Sequence, residues 1–207
     1  MKVLLLNGSI HKEGTTYTAL KEIADTLAQE EIESEIVWIG AQPVQDCLAC
    51  GKCREIKRCV IENDIVNSFL EKAETADGFV FGTPVYYAHA CGRVLSAMDR
   101  MFYAGKQYFE KKPASVVAVA RRAGCTSSYD DLIKHLTIAE MPVVASTYWN
   151  NVFGSNGADA KQDAEGMQTM RNLARNLSWI LKCIRAGKDA GIEPPVAEKS
   201  AHTNFIR

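Results

Sequence analysis

The sequence predicts an α/β protein in which helices cover both faces of a five-stranded parallel sheet. Three observations lead there. The chain opens on a continuous apolar run, Val3 to Leu6, which suits a strand buried on both faces at the centre of such a sheet. Strand and helix patterns then alternate five times, the order that parallel βαβ units require. The turns carrying ligand-type residues follow strand C-terminal ends, the edge at which open α/β sheets bind their ligands.

Tyr17 to Gln29 places Leu20, Ile23, Ala24 and Leu27 on one face and Lys21, Glu22 and Asp25 on the other, the period of a surface helix. Glu35 to Ile39 is the second strand. Helical spacing resumes over Glu62 to Ala73, with Asn63 or Asp64 as its cap, and Gly78 to Gly82 is a short buried third strand. Ala90 to Tyr103 is a helix whose apolar residues, Val94, Leu95, Met98, Met101 and Phe102, exceed what one sheet-facing stripe needs. The surplus suits a subunit interface or extra core contact, and Asp99 and Arg100 read as an ion pair or as interface charges. Ala114 to Ala120 is the fourth strand, Tyr129 to Ile138 a helix, and Pro142 to Trp149 the fifth strand. Asn150 to Gly157 reads as a polar turn, and Asp163 to Ile184 as the closing helix. Residues 1–185 thus form one domain with a cysteine-rich loop at 43–60. Residues 186–207, with Pro194 and Pro195, are a tail suited to an oligomer contact.

Composition narrows the function. Lys and Arg number 24 against 25 Asp and Glu, and the net charge of −1 supplies no field for gripping nucleic acid. No apolar stretch approaches the roughly 18 residues of a membrane span. No signal-peptide pattern precedes the first strand, so a cytoplasmic location is expected. Seven cysteines, four of them between Cys47 and Cys59, point to metal or redox chemistry more than to disulfides.

The stretch Lys2 to Thr16 joins the first strand to a helix start through a loop suited to a phosphate. Asn7, Gly8 and Ser9 turn the backbone, and Gly14, Thr15 and Thr16 open the helix, whose first free N–H groups carry the positive end of its dipole. The loop has neither the Gly-Lys-Ser/Thr of a P-loop nor the spacing of GxGxxG. Ser9, Thr15 and Thr16 are its hydroxyl donors, and His11 and Lys12 are sources of positive charge. The plain alternative is a βα turn in which a threonine caps the helix. Thr83, Pro84, Val85, Tyr86 and Tyr87 follow the third strand, where aromatics can stack on a flat ring. Arg121, Arg122, Ala123 and Gly124 follow the fourth, where small residues admit a ligand to the backbone and a guanidinium can offset negative charge. Solvated arginines at an ordinary turn are the alternative there.

Cys47, Cys50, Cys53 and Cys59 follow C-x2-C-x2-C-x5-C among Lys52, Arg54, Lys57 and Arg58. Such spacing lets thiolates converge, and nearby cations ease their mutual repulsion. A cubane iron–sulfur cluster, a four-cysteine zinc site and a set of thiols without metal are all open. The compact triple spacing favours the cluster over zinc.

Together GSIHKEGTT, GTPVYY, ARRAG and CLACGKCREIKRC resemble the NADPH-dependent FMN reductase family over nearly the whole chain, and within it the iron–sulfur flavoproteins. The resemblance implies a flavodoxin-like three-layer sandwich with strand order 2-1-3-4-5. It implies that Ser9, His11, Gly14, Thr15 and Thr16 contact the FMN phosphate. The segment from Thr83 to Tyr87 and the turn from Arg121 to Gly124 would line the isoalloxazine ring, and the four cysteines would hold a [4Fe-4S] cluster. NAD(P)H would be the co-substrate and a small molecule such as a quinone, azo compound or free flavin the acceptor, in a homodimer or homotetramer. The flavin would carry the chemistry without a catalytic acid or base from the protein. A flavodoxin-type electron carrier and a zinc-stabilised interaction protein are the competing expectations.

Overall fold

The computed structural model of the chain describes residues 1–198, 200, 201 and 203. The expected tail is therefore described only in part, and positions 199, 202 and 204–207 lie outside the described residues.

Five parallel strands form the sheet. They are β1 (Lys2–Asn7), β2 (Glu33–Trp38), β3 (Gly78–Tyr86), β5 (Ala114–Ala120) and β6 (Asn151–Phe153), ordered β2-β1-β3-β5-β6. A two-residue strand, β4 (His89–Ala90), pairs antiparallel with the end of β3. Set aside that hairpin arm and the order is the expected 2-1-3-4-5. The helices are α1 (Thr15–Gln29), α2 (Cys53–Ile56), α3 (Ile65–Ala73), α4 (Gly92–Phe109), α5 (Cys125–Ile138), α6 (Gly157–Gln162) and α7 (Ala164–Asp189). Among the described residues no helix is long and apolar enough to cross a membrane.

Side-chain alternation along β1 divides the core between the two faces. Leu4 and Leu6 point into one cluster with Phe69, Phe79, Phe81, Met98, Met101 and Phe109, under α3, α4 and α5. Val3 and Leu5 point into the other with Leu20, Ile23, Val117, Leu173 and Leu177, under α1 and α7. The phenylalanines pack closely; Phe79 and Phe109 meet edge to face with ring centroids 5.0 Å apart. Val94, Met98, Met101 and Phe102 of α4 are all buried here. Their apolar excess therefore serves the chain's own core, the second of the two expectations, and Leu95 packs half-buried against it.

Several boundaries differ from expectation: α4 runs on to Phe109 where Tyr103 was expected, α5 starts at Cys125 where Tyr129 was expected, and three further differences have identifiable reasons. β3 runs on through Thr83 and Pro84, paired with Ala118 and Val119, where a turn was expected from the Gly-Thr-Pro sequence. Proline fits because β1 ends opposite Gly82, so the last residues of β3 have only one parallel neighbour. The real turn is Tyr87-Ala88, both at positive φ, which closes a two-residue hairpin between Tyr86 and His89. The fifth strand lies at 151–153, and the expected strand at 142–149 makes only a single bridge, Val143 to Ala114. Between these two contacts the backbone leaves the sheet and Asn150 substitutes for it. Its Nδ2 donates to the Val116 carbonyl at 3.0 Å, and its own carbonyl accepts from Ala118 N at 3.0 Å. Finally, α7 continues to Asp189, beyond the expected end at Ile184, and Asp163 caps its start by accepting from Gly166 N.

Candidate functional site

The first crossover is held by short-range bonds from its own polar side chains. Asn7 Nδ2 donates to the Lys12 carbonyl at 3.0 Å and its Oδ1 accepts from Ser9 N at 3.2 Å. Ser9 Oγ accepts from His11 N at 3.1 Å, which is why this serine is buried at the loop's base. Trp38 Nε1 donates to the Ser9 carbonyl at 2.8 Å, fixing the loop to the end of β2. Gly8 is required by space: a Cβ there would stand 2.5 Å from the Gly82 carbonyl and 2.2 Å from Val94 Cγ2.

The helix that follows has no side-chain cap. Its N-cap residue is Gly14, so neither threonine performs the capping role of the plain alternative. The uncapped end opens onto a cleft of about 720 Å³ at the C-terminal edge of the sheet. Ser9, His11, Gly14, Thr15 and Thr16 line one end, with Lys12 and Glu13 beside them. Pro84, Val85, Tyr86 and Arg121 line the other, and burial pushes the Tyr86 phenol up.

The remaining expected residues do not border this cleft. Thr83 is fully buried and braces the strand end, its Oγ1 accepting from Cys91 N at 3.0 Å. Tyr87 is wholly exposed at the hairpin tip. Arg122 and Ala123 face solvent. Gly124, at φ +89°, lets the hairpin approach; a Cβ there would lie 2.6 Å from Ala88 Cα. Sequence reasoning missed the cleft's third wall, Gly154 to Gly157, which follows β6. The signal was its place after a strand's C-terminal end, obscured by the misplaced fifth strand.

The four cysteines border one second cavity, of about 380 Å³, with Leu48, Val60, Ile61 and Ala104 as apolar wall. Among the described residues no three His, Cys, Asp or Glu side chains stand close enough to share one metal ion. Cys50 is exposed, and Cys47, Cys53 and Cys59 are half-buried. The backbone reaches this arrangement through positive φ at Ala49, Gly51 and Lys57.

Arg100 anchors the segment and does not pair with Asp99. It is buried to 1% exposure, bonds both carboxylate oxygens of Asp64, and donates to the carbonyls of Gln45 at 3.0 Å and Ile61 at 3.1 Å. Its Nε donates to Cys59 Sγ at 3.2 Å. Burial pulls the guanidinium's pKa down, but Asp64 and Cys59 more than offset this and hold it above its ordinary value. Asp99 instead accepts from or pairs with His135 Nε2 at 2.8 Å. The signal was present: Arg100 lies at helical spacing between Ala97 and Ala104, a lone cation on a buried stripe.

A parallel three-layer sandwich with this strand order and an uncapped first helix facing an edge cleft is a flavodoxin-like protein. The profile of the NADPH-dependent FMN reductase family matches residues 1–155, and the chain belongs to that family. It is an FMN-dependent oxidoreductase. The chain is 30% identical to an iron–sulfur flavoprotein of Methanocaldococcus jannaschii over 193 residues, 89% of this chain and 100% of that one. It is 27% identical to an iron–sulfur flavoprotein of Methanosarcina thermophila over 194 residues, 91% and 100% of the two chains. A solved flavodoxin from the domain Archaea superposes with a TM-score of 0.61 at 11% identity, covering 88% of this chain and 99% of that one.

Proposed function

We propose that the chain accepts hydride from NAD(P)H on an FMN held in the edge cleft and passes the electrons to a small acceptor or through a [4Fe-4S] cluster held by Cys47, Cys50, Cys53 and Cys59. The observation that carries this is the uncapped N-terminus of α1 opening into a cleft walled by hydroxyls at one end and by Tyr86 and Arg121 at the other. When bound, FMN supplies the two-electron to one-electron redox chemistry.

The protein's own residues position that group. Thr15 and Thr16, the first two residues of α1, offer backbone N–H groups and hydroxyls to the phosphate, and Ser9, His11 and Gly14 shape the loop around it. Pro84, Val85 and Tyr86 form a wall for the ring, with Arg121 a positive charge beside it. Thr83 contributes by bracing the end of β3, and Tyr87, Arg122, Ala123 and Gly124 by building the two turns. The cysteine cavity suits a cluster because four soft donors surround one apolar space with a cationic N–H donor at one sulfur. The relatives named as iron–sulfur flavoproteins support the same assignment. A homodimer or homotetramer belongs to the proposal, and light scattering in solution tests it.

The test is anaerobic mixing of purified protein with NADPH or NADH while the flavin's visible band is followed. Bleaching at a catalytically useful rate, with turnover on adding a quinone, is expected. A flavin that stays oxidised against both nucleotides contradicts the reductase and leaves the flavodoxin-type carrier.

A further inference from the structure

The four cysteines are not held alike. Cys59 is gripped on its backbone by the buried Asn67, whose Oδ1 accepts from Cys59 N at 2.9 Å and whose Nδ2 donates to Cys59 O at 2.9 Å and to Ile61 O at 3.2 Å. Its sulfur receives the Arg100 Nε–H at 3.2 Å, from a guanidinium fixed in turn by both oxygens of Asp64. Cys47 and Cys50 have no comparable bonds among the described residues, and Cys53 sits at the start of the single-turn helix α2.

We infer that Arg100 is a positioning residue that holds Cys59 as the fixed corner of the cluster and, through its N–H···S bond, makes the cluster easier to reduce. This rests on the cluster assignment proposed above. One electron enters on reduction, no bond breaks, and the added negative charge spreads onto the sulfurs. A donor aimed at one of those sulfurs stabilises the reduced form more than the oxidised one. Burial strengthens the effect, because no water competes for the sulfur at that side.

The test uses full-length protein reconstituted anaerobically with ferrous iron and sulfide and titrated with dithionite. Arg100→Lys keeps a cation for Asp64 and removes the Nε–H bond. Its midpoint potential is expected to be more negative than that of the unsubstituted protein, with iron and sulfide content retained. Equal potentials overturn the inference and leave the cluster assignment standing. Should Arg100→Lys not fold, as judged by circular dichroism, the decision passes to protein carrying 15N-arginine and the Arg54→Gln substitution, since Arg54 also borders the cavity. Pulsed electron paramagnetic resonance of its reduced cluster is expected to show coupling to an arginine 15N, and its absence overturns the inference. An unsubstituted protein that takes up neither iron nor sulfide overturns this inference and the cluster assignment together, while its flavin spectrum still reports on the reductase.

Discussion

Two irregular segments border the cavities proposed as the cofactor sites, and they are built on opposite principles. The first crossover, from Asn7 to Gly14, is held by bonds within itself and to its neighbouring strands, with every non-glycine residue at ordinary φ. The cysteine segment, from Gly40 to Asn63, has only one turn of helix and several positive-φ residues, and hangs chiefly from Arg100 and Asn67, with Arg93 holding the Gly40 carbonyl at its start. A self-bonded loop distributes its stability over many contacts, whereas a suspended one concentrates it in a few buried side chains. Substitutions in the two segments should therefore differ in size and in reach.

The largest effect is expected at Arg100→Ala. It strands the Asp64 carboxylate, 6% exposed, without its cation, a loss of about 3–5 kcal/mol by analogy with other broken buried pairs. Urea unfolding monitored by circular dichroism measures it, and a loss below about 1 kcal/mol breaks the contrast by showing that the segment has other anchors. Next comes Gly8→Ala in the first crossover. The new methyl group meets the Gly82 carbonyl and Val94, and overpacking of this kind costs about 1–3 kcal/mol. FMN affinity is expected to fall with it, because the loop must shift relative to α1, and fluorescence titration of the apoprotein reads that change. Trp38→Phe removes one donor from the Ser9 carbonyl and is expected to cost only about 0.5–1.5 kcal/mol, since the other loop bonds remain.

Cys125 sharpens the comparison without disturbing either segment. It is buried at the start of α5, and burial pushes its thiol up to about 11, whereas the cysteines of the suspended loop border an open cavity. Iodoacetamide at pH 8 is expected to label Cys50 in apoprotein long before Cys125, as peptide mass spectrometry can show. The folded chain holds the Cys125 proton more tightly than the unfolded chain, so this contribution to stability is present below the ordinary thiol value of 9.0 and lost as pH rises through about 11.

The same contrast explains what the sequence made legible. β1 and β5 were readable to within a residue because a dense apolar run, broken in β5 only by Ser115, has one good solution in a doubly covered sheet. The first crossover was readable as a strand-to-helix loop bordering a cleft because its signal is local, hydroxyls and glycines at the junction. The edge strand was not, because Asn150 replaces backbone pairing with side-chain bonds, a solution that depends on Ser115 and Val116 far away in the chain. The end of β3 was hidden by Pro84, acceptable only because β1 has already stopped. Arg100 was visible as a residue but not in its role, since its partners Gln45, Ile61 and Asp64 come together only in the folded chain.

The proposed redox role requires the end of α1 to serve as the phosphate site of FMN. The measurement that tests it most directly is paired titration of apoprotein with FMN and with riboflavin, which differs only by lacking the phosphate. Binding of FMN tighter by a factor of ten or more, about 1.4 kcal/mol, is expected, with the gap narrowing as inorganic phosphate is added to compete. Equal affinities for the two flavins, unchanged by phosphate, would contradict it.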